Sequence, residues 1–213
     1  FEEELEFILG EASRALSRPV RRADVRSVWV GLRPLVAAPA TGAGGTQALS
    51  REHTIVVDGN AMLTVTGGKW TTYRAMADDV MNHLFDAGLL PRRAGGATLR
   101  HALHGAPPQA GTPIQAAPGA HMFGDDIVAI RSLPGADRVI GMGLTEAMVR
   151  FMVRHEYAHT VEDVLARRWR ALFLDAQEAA RMAPLVARLL SEEGVADPAL
   201  ESFVSLTHQY SLG

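Results

Sequence analysis

The chain has no cysteine among its 213 residues. That excludes disulfides and thiolate metal sites, and it fits a reducing compartment. Charge of one sign is also missing: 21 Lys and Arg stand against 24 Asp and Glu, a net −3. A dedicated nucleic-acid surface needs a concentrated basic face to neutralise phosphates, so nucleic acid is excluded as the expected partner. No apolar run approaches the ~20 residues of a membrane-spanning helix. The first residues include Glu2, Glu3 and Glu4 rather than a basic targeting region. Phe1 is not an initiator, and an amphipathic pattern starts at once, which reads as a piece of a longer protein.

What is present is 47% hydrophobic residues, enough for one large domain or two small ones. Phe1, Leu5, Ile8, Leu9, Ala12 and Leu16 share one helical stripe over 1–16, and Pro19 stops it. Residues 25–36 alternate as a strand, with Trp29 and Arg33 on one face and Gly31 between them. A loop follows over 37–47. A hairpin is expected from strands 53–57 and 62–66 joined by the two-residue turn signal Asp58-Gly59. Met76, Val80, Leu84 and Phe85 then mark a helix ending near Gly88.

Residues 96–119 read as a linker with one short strand at 97–103. Beyond it the pattern is helical: 125–133, 145–155, 160–175, on through 193, and 198–210. Thr160 and Asp163 form a capping signature, and Gly194 a stop. Val161, Leu165, Trp169 and Leu172 make one core stripe, with Met182, Leu185, Val186, Leu189 and Leu190 a second. The expected fold is α+β, a small mainly antiparallel sheet with flanking helices over 1–95, followed by an all-α domain over 120–213. Unpaired strand edges favour self-association, so a homodimer through residues 20–66 is expected.

Three chemical signals compete. His155-Glu156-Tyr157-Ala158-His159 is a literal H-E-x-x-H, the zinc hydrolase pattern, with Glu178 or His208 as third ligand. The pattern needs one continuous helix through both histidines, and a cap at Thr160 would splay them, so no metal is expected. His101 and His104, in the linker, read as solvated. The second signal is Gly67-Gly68-Lys69-Trp70-Thr71-Thr72-Tyr73-Arg74, a glycine pair between a strand and a helix, which aims backbone N–H groups at an anion or a cofactor's polar edge. Third, Arg33, Arg51 and Lys69 could converge on a phosphate monoester, since guanidinium forks match its oxygens. The alternative for each is a solvated or ion-paired surface residue.

Gly31-Leu32-Arg33-Pro34-Leu35, Ser50-Arg51-Glu52-His53-Thr54-Ile55 and the Gly67–Arg74 block, in that order and spacing, resemble FAD-dependent glycerol-3-phosphate dehydrogenases. Glu156-Tyr157-Ala158, Thr160–Arg168 and Phe173-Leu174-Asp175-Ala176 are similar to that family's C-terminal helical domain. The resemblance implies hydride transfer from sn-glycerol 3-phosphate to FAD, giving dihydroxyacetone phosphate, with electrons passing to quinone. It implies that Arg33 and Arg51 hold the substrate, Arg33 near the reacting hydroxyl, with Lys69 beside them. Gly67, Gly68, Lys69, Thr71 and Thr72 would line the flavin. It further implies a cytoplasmic enzyme, peripheral on the inner face of the cell membrane. No G-x-G-x-x-G follows a strand here, because Gly42, Gly44 and Gly45 lie in a loop. The chain is therefore expected to be the C-terminal part of such an enzyme, without tightly bound FAD or activity of its own. A second reading is a non-catalytic helical module for assembly or membrane docking.

Overall fold

The computed structural model describes residues 2–32, 52–106 and 116–212. They form two compact units: residues 1–30 with 103–213, and residues 31–102. The class is α+β, as expected.

The first unit begins with α1 (Glu2–Ala15), whose first turn is acidic and whose last turn carries Arg14, both favourable to the helix dipole. Its inward stripe is narrower than the sequence pattern. Leu5, Leu9 and Ala12 are half-buried, while Ile8 and Leu16 are exposed. Among the described residues 25–32 form no strand, contrary to expectation. Their hydrogen bonds go to helices instead of a sheet. Val28 N–H donates to Tyr210 O, Ala176 N–H to Arg26 O, and Ser27 Oγ to Leu172 O. Trp29 meets the Phe173 ring edge-on at 5.2 Å. These contacts explain why residues 1–30 group with 103–213.

The core lies in residues 123–203. A 3₁₀ segment (Ala120–Asp126) leads into α3 (Ile127–Arg131). A small hairpin, β3 (Val139–Gly141) with β4 (Leu144–Thr145), had no clear sequence signal and follows. Then come α4 (Glu146–Glu156), a π-helical turn (Asp163–Arg168), α5 (Ala171–Leu174), α6 (Ala176–Glu192) and α7 (Leu200–Gln209). Helix α6 is the centre, packed by α4, α5 and α7. Both expected stripes are inside: Val161, Leu165, Trp169 and Leu172 are buried, as are Met182, Val186, Leu189 and Leu190, with Leu185 packed at the margin.

Capping follows the sequence. Asp163 N–H donates to Thr160 Oγ1 at 3.0 Å and Thr160 N–H to Asp163 Oδ2 at 2.9 Å, a reciprocal capping box. Gly194 ends α6 at φ 92°, a left-handed stop. An ionic clamp ties α4 to the end of α6. Arg150 and Arg154 both donate to Glu193, whose side chain is 8% exposed. Those hydrogen bonds, Arg154 first, outweigh burial and hold the Glu193 carboxyl below its ordinary value.

The second unit holds β1 (His53–Val57), β2 (Leu63–Gly67), a 3₁₀ turn (Trp70–Thr72), α2 (Tyr73–Asp86) and a 3₁₀ turn at Thr98–Arg100 where a strand was expected. Ala87 and Gly88 close α2, as the sequence indicated. No helix among the described residues is long and apolar enough to cross a membrane.

Candidate functional site

The hairpin that leads into the glycine pair is antiparallel, with His53 opposite Gly67 and Val57 opposite Leu63. Its connection is longer than the two-residue turn expected. Asp58 N–H donates to Met62 O, and Asp58 Oδ1 accepts from the N–H groups of Asn60 and Met62. The left-handed residue is Ala61 (φ 61°), so the carboxylate of Asp58 organises the loop rather than the freedom of Gly59.

Gly67 and Gly68 then adopt φ 75° and 82°, a region where a side chain is strained. Gly68 is constrained twice. A Cβ there would lie 2.6 Å from Sδ and Cε of Met76 and 3.1 Å from Cβ of His53. The turn is therefore pressed onto β1 and α2 on one side. On the other it is open: Lys69, Trp70, Thr71 and Thr72 are all exposed. Thr72 donates to Lys69 O through both its N–H and Oγ1, each at 3.0 Å, which closes the 3₁₀ turn. Trp70 stacks on Tyr73 with centroids 5.8 Å apart.

Five of the expected site residues, Gly67, Gly68, Lys69, Thr71 and Thr72, thus share one turn at a helix start. Arg33 and Arg51 lie outside the described residues, and so does the loop 37–47. Lys69 Nζ lies 3.6 Å from Glu52 Oε1, an exposed pair that leaves the ammonium accessible. The sequence reading missed a second link. His53 Nε2 donates to Asp79 Oδ2 at 2.7 Å, and His83 Nδ1 donates to Asp79 O at 2.9 Å. His53 shares the inward parity of Ile55 and Val57 on β1, and an imidazole on such a face demands a polar partner. That parity was the available signal. Chemically the arrangement offers an accessible cation, polar hydroxyls and a close-approach backbone to an anionic or polar ligand edge.

The zinc reading fails on helix geometry. Helix α4 ends at Glu156, and Tyr157 is left-handed at φ 58°, so His155 and His159 do not share a helix face. His155 packs on the Phe151 ring at 4.7 Å. Glu156 pairs with Arg168, and the His159 N–H is taken by Asp163. Glu178 pairs with Arg181 instead of a histidine. Among the described residues no cluster of three His, Asp or Glu is arranged to hold a metal. His104 is solvated, as expected, yet it has a partner, Asp126 Oδ1 at 3.3 Å.

Residues 120–199, the stretch holding the 3₁₀ segment through α6, match the C-terminal domain of alpha-glycerophosphate oxidase. The matched stretch holds the capping box, the π-helical turn and the α6 core, and similarity to known proteins extends beyond it. The chain is 33% identical over 223 residues to glycerol-3-phosphate dehydrogenase SDP6, mitochondrial, of Arabidopsis thaliana, covering 90% of this chain and 35% of that protein. It is 35% identical over 217 residues to the mitochondrial glycerol-3-phosphate dehydrogenase of Rattus norvegicus, covering 90% and 29%. The Schizosaccharomyces pombe enzyme is 30% identical over 248 residues, covering 90% and 37%. The chain thus spans about a third of the length of these relatives and aligns with their C-terminal part. No solved structure matches it. The relatives correct one expectation: they are mitochondrial enzymes, so the assignment to the cytoplasm and the inner face of the cell membrane does not stand.

Proposed function

We propose that this chain is the C-terminal portion of a FAD-dependent dehydrogenase that oxidises sn-glycerol 3-phosphate to dihydroxyacetone phosphate and passes the electrons to quinone. The observation that carries the reading is the left-handed Gly67-Gly68 turn, sealed against Met76 and His53 on one side and open on the other. Its support is the similarity to dehydrogenases of that substrate over 90% of the chain.

The residues present fit the edge of a flavin ring. Backbone approaches closely only where no Cβ intrudes, and both glycines meet that need. FAD, when bound, supplies the hydride acceptor. The chain's own groups do the rest. Gly67, Gly68, Thr71 and Thr72 place the backbone and hydroxyls along the ring, and the Lys69 ammonium stabilises negative charge that builds there. Arg33 and Arg51 clamp the substrate phosphate through bidentate hydrogen bonds, with Arg33 nearest the reacting hydroxyl. In this reading residues 120–213 are the appended helical domain.

The chain contributes one wall of the site and lacks the pyrophosphate fingerprint, so by itself it holds FAD weakly and does not turn over. The test is an NMR titration of the chain with FAD. Shifts confined to the amides of residues 67–72, with flavin absorbance lost on gel filtration, are expected. Flavin that survives gel filtration refutes the weak-binding reading, and unmoved 67–72 amides at saturating FAD refute the flavin wall.

A further inference from the structure

Glu52 and His53, neighbours in sequence, both reach the glycine turn. Glu52 Oε1 lies 3.6 Å from Lys69 Nζ. His53 opens β1, stands opposite Gly67 in the ladder, and has its Cβ 3.1 Å from the place a Cβ of Gly68 would take. Its imidazole runs on to α2, where Nε2–H donates to Asp79 Oδ2 at 2.7 Å. Met76 and Asp79 are three residues apart on α2 and share one face of that helix. Met76 is the other neighbour of Gly68, 2.6 Å from the same added Cβ. One helix face therefore seats the turn through Met76 and holds β1 through Asp79, with Gly68 between them. His83 braces the acceptor: its Nδ1–H donates to Asp79 O at 2.9 Å, and Nδ1 lies 3.4 Å from Asp79 Oδ1.

Burial does not require this pair. The His53 side chain is 22% exposed and that of Asp79 45%, so both have access to water. A leucine at 53 would continue the half-buried parity of Ile55 and Val57 and remove more apolar surface from water. What the polar pair adds is direction. Apolar contact is non-directional and lets two surfaces slide, whereas a hydrogen bond fixes a distance and an angle. None of the described residues between 52 and 102 is buried, so no closed core holds the turn in register with β1 and α2. A directional bond beside Gly68 meets that need.

We propose that His53 and Asp79 are positioning residues for the flavin-facing turn, their hydrogen bond setting β1 against α2 and thereby the place of the Gly67-Gly68 backbone and the Lys69 ammonium. This rests on the flavin wall proposed above. The pair touches no ligand and acts through Gly68, whose two neighbours, His53 and Met76, it holds at a fixed separation. His83 serves the same end one step further out, by fixing the direction of the Asp79 side chain.

NMR titration of the 213-residue chain with FAD tests it, the amides of β1 and β2 confirming that each variant keeps its hairpin. His53→Leu and Asp79→Ala are expected to weaken the FAD response of the 67–72 amides by about five- to tenfold, the worth of one lost hydrogen bond. Asp79→Ala keeps a strong helix former in α2 and carries the test if His53→Leu loses the hairpin. His53→Gln and Asp79→Asn keep a donor and an acceptor in place and should retain most of the response, a rescue that packing alone does not give. In the free chain, exchange of the Thr72 N–H, which closes the turn on Lys69 O, should accelerate in the first two variants and not in the last two. A parental FAD response in His53→Leu and Asp79→Ala overturns the proposal and leaves the flavin wall standing. So does a response lost equally in the conservative variants, or Thr72 exchange that is the same in all five chains, whatever FAD does. Unmoved 67–72 amides in the parent chain refute the wall itself, and the pair's role toward flavin with it.

Discussion

Residues 123–203 bury Trp169, Phe203, Ile130, Leu189 and Leu190 almost completely, whereas none of the described residues between 52 and 102 is buried. The helical unit is held by removal of apolar surface from water, the dominant favourable term in folding. The hairpin unit is held by a two-stranded ladder, an aspartate loop, the His53–Asp79 hydrogen bond and half-buried Met76, Val80, Leu84 and Phe85. A two-stranded sheet alone is marginal in water. The difference teaches that the part of the chain with the family's domain match is self-sufficient in packing, while the part with the proposed chemistry is thinly supported.

The largest expected break of that contrast lies in the core. Trp169 is 0% exposed, and its Nε1–H donates to Met142 O at 3.0 Å. Trp169→Ala costs about 3–5 kcal/mol through the cavity and the orphaned carbonyl. Thermal unfolding of the helical unit measures it, with the hairpin amides unshifted. An effect under about 1 kcal/mol would sink the packing account.

Next is the ionic clamp. Glu193→Ala leaves Arg150 without its main acceptor in a nearly closed site where Arg150 Nε already has no partner. The cost is about 2–3 kcal/mol, near the upper end for an unpaired buried polar group. The pH dependence has a definite sign. Because the Glu193 carboxyl is held below its ordinary value in the folded chain, its contribution is full above the ordinary carboxyl range. It is lost as pH falls through the folded value. Asp163 behaves alike: burial raises its pKa, but the His159 N–H, Arg167 and Thr160 outweigh this and hold it low. Acid titration of stability should therefore be shallower in Glu193→Ala than in the parent chain, and an unchanged slope counts against the clamp.

A smaller effect sharpens the contrast from the other side. Gly68→Ala places a side chain at φ 82° and against Met76, costing about 1–2 kcal/mol for the left-handed backbone alone. Hydrogen exchange of 53–67 should accelerate while the helical unit melts unchanged, and coupled melting would show that the units are not separate. Smallest is Lys69→Gln, which removes the exposed pair with Glu52 and should change stability by less than about 1 kcal/mol. Its expected consequence is a weakened FAD response of the 67–72 amides, and an undiminished response would remove Lys69 from the proposed site.

Legibility followed the same divide. Helix starts and stops were readable because Thr160, Asp163 and Gly194 act locally. The hairpin strands were readable from alternation and from the glycine pair at the end of β2. Residues 25–32 were misread because alternation fixes an extended backbone but not its partner: helices α5, α6 and α7 took the hydrogen bonds that a sheet would have taken. The β3–β4 pair was too short to show a period, and the hairpin loop was misassigned because Asp58 outweighed Gly59. At the site, the glycine pair was legible as a backbone requirement. The His53–Asp79 bond was not, since it joins residues 26 apart through folding alone.

The three tryptophans stand at three depths: Trp169 at 0% exposure, Trp29 at 54% and Trp70 at 87%. Each is an intrinsic fluorophore in a different polarity. Trp169 should emit at the blue edge and resist acrylamide, and Trp70 should emit to the red and quench freely. A single denaturation followed at several wavelengths would then resolve the loss of the helical core from the loosening of the hairpin without any label attached.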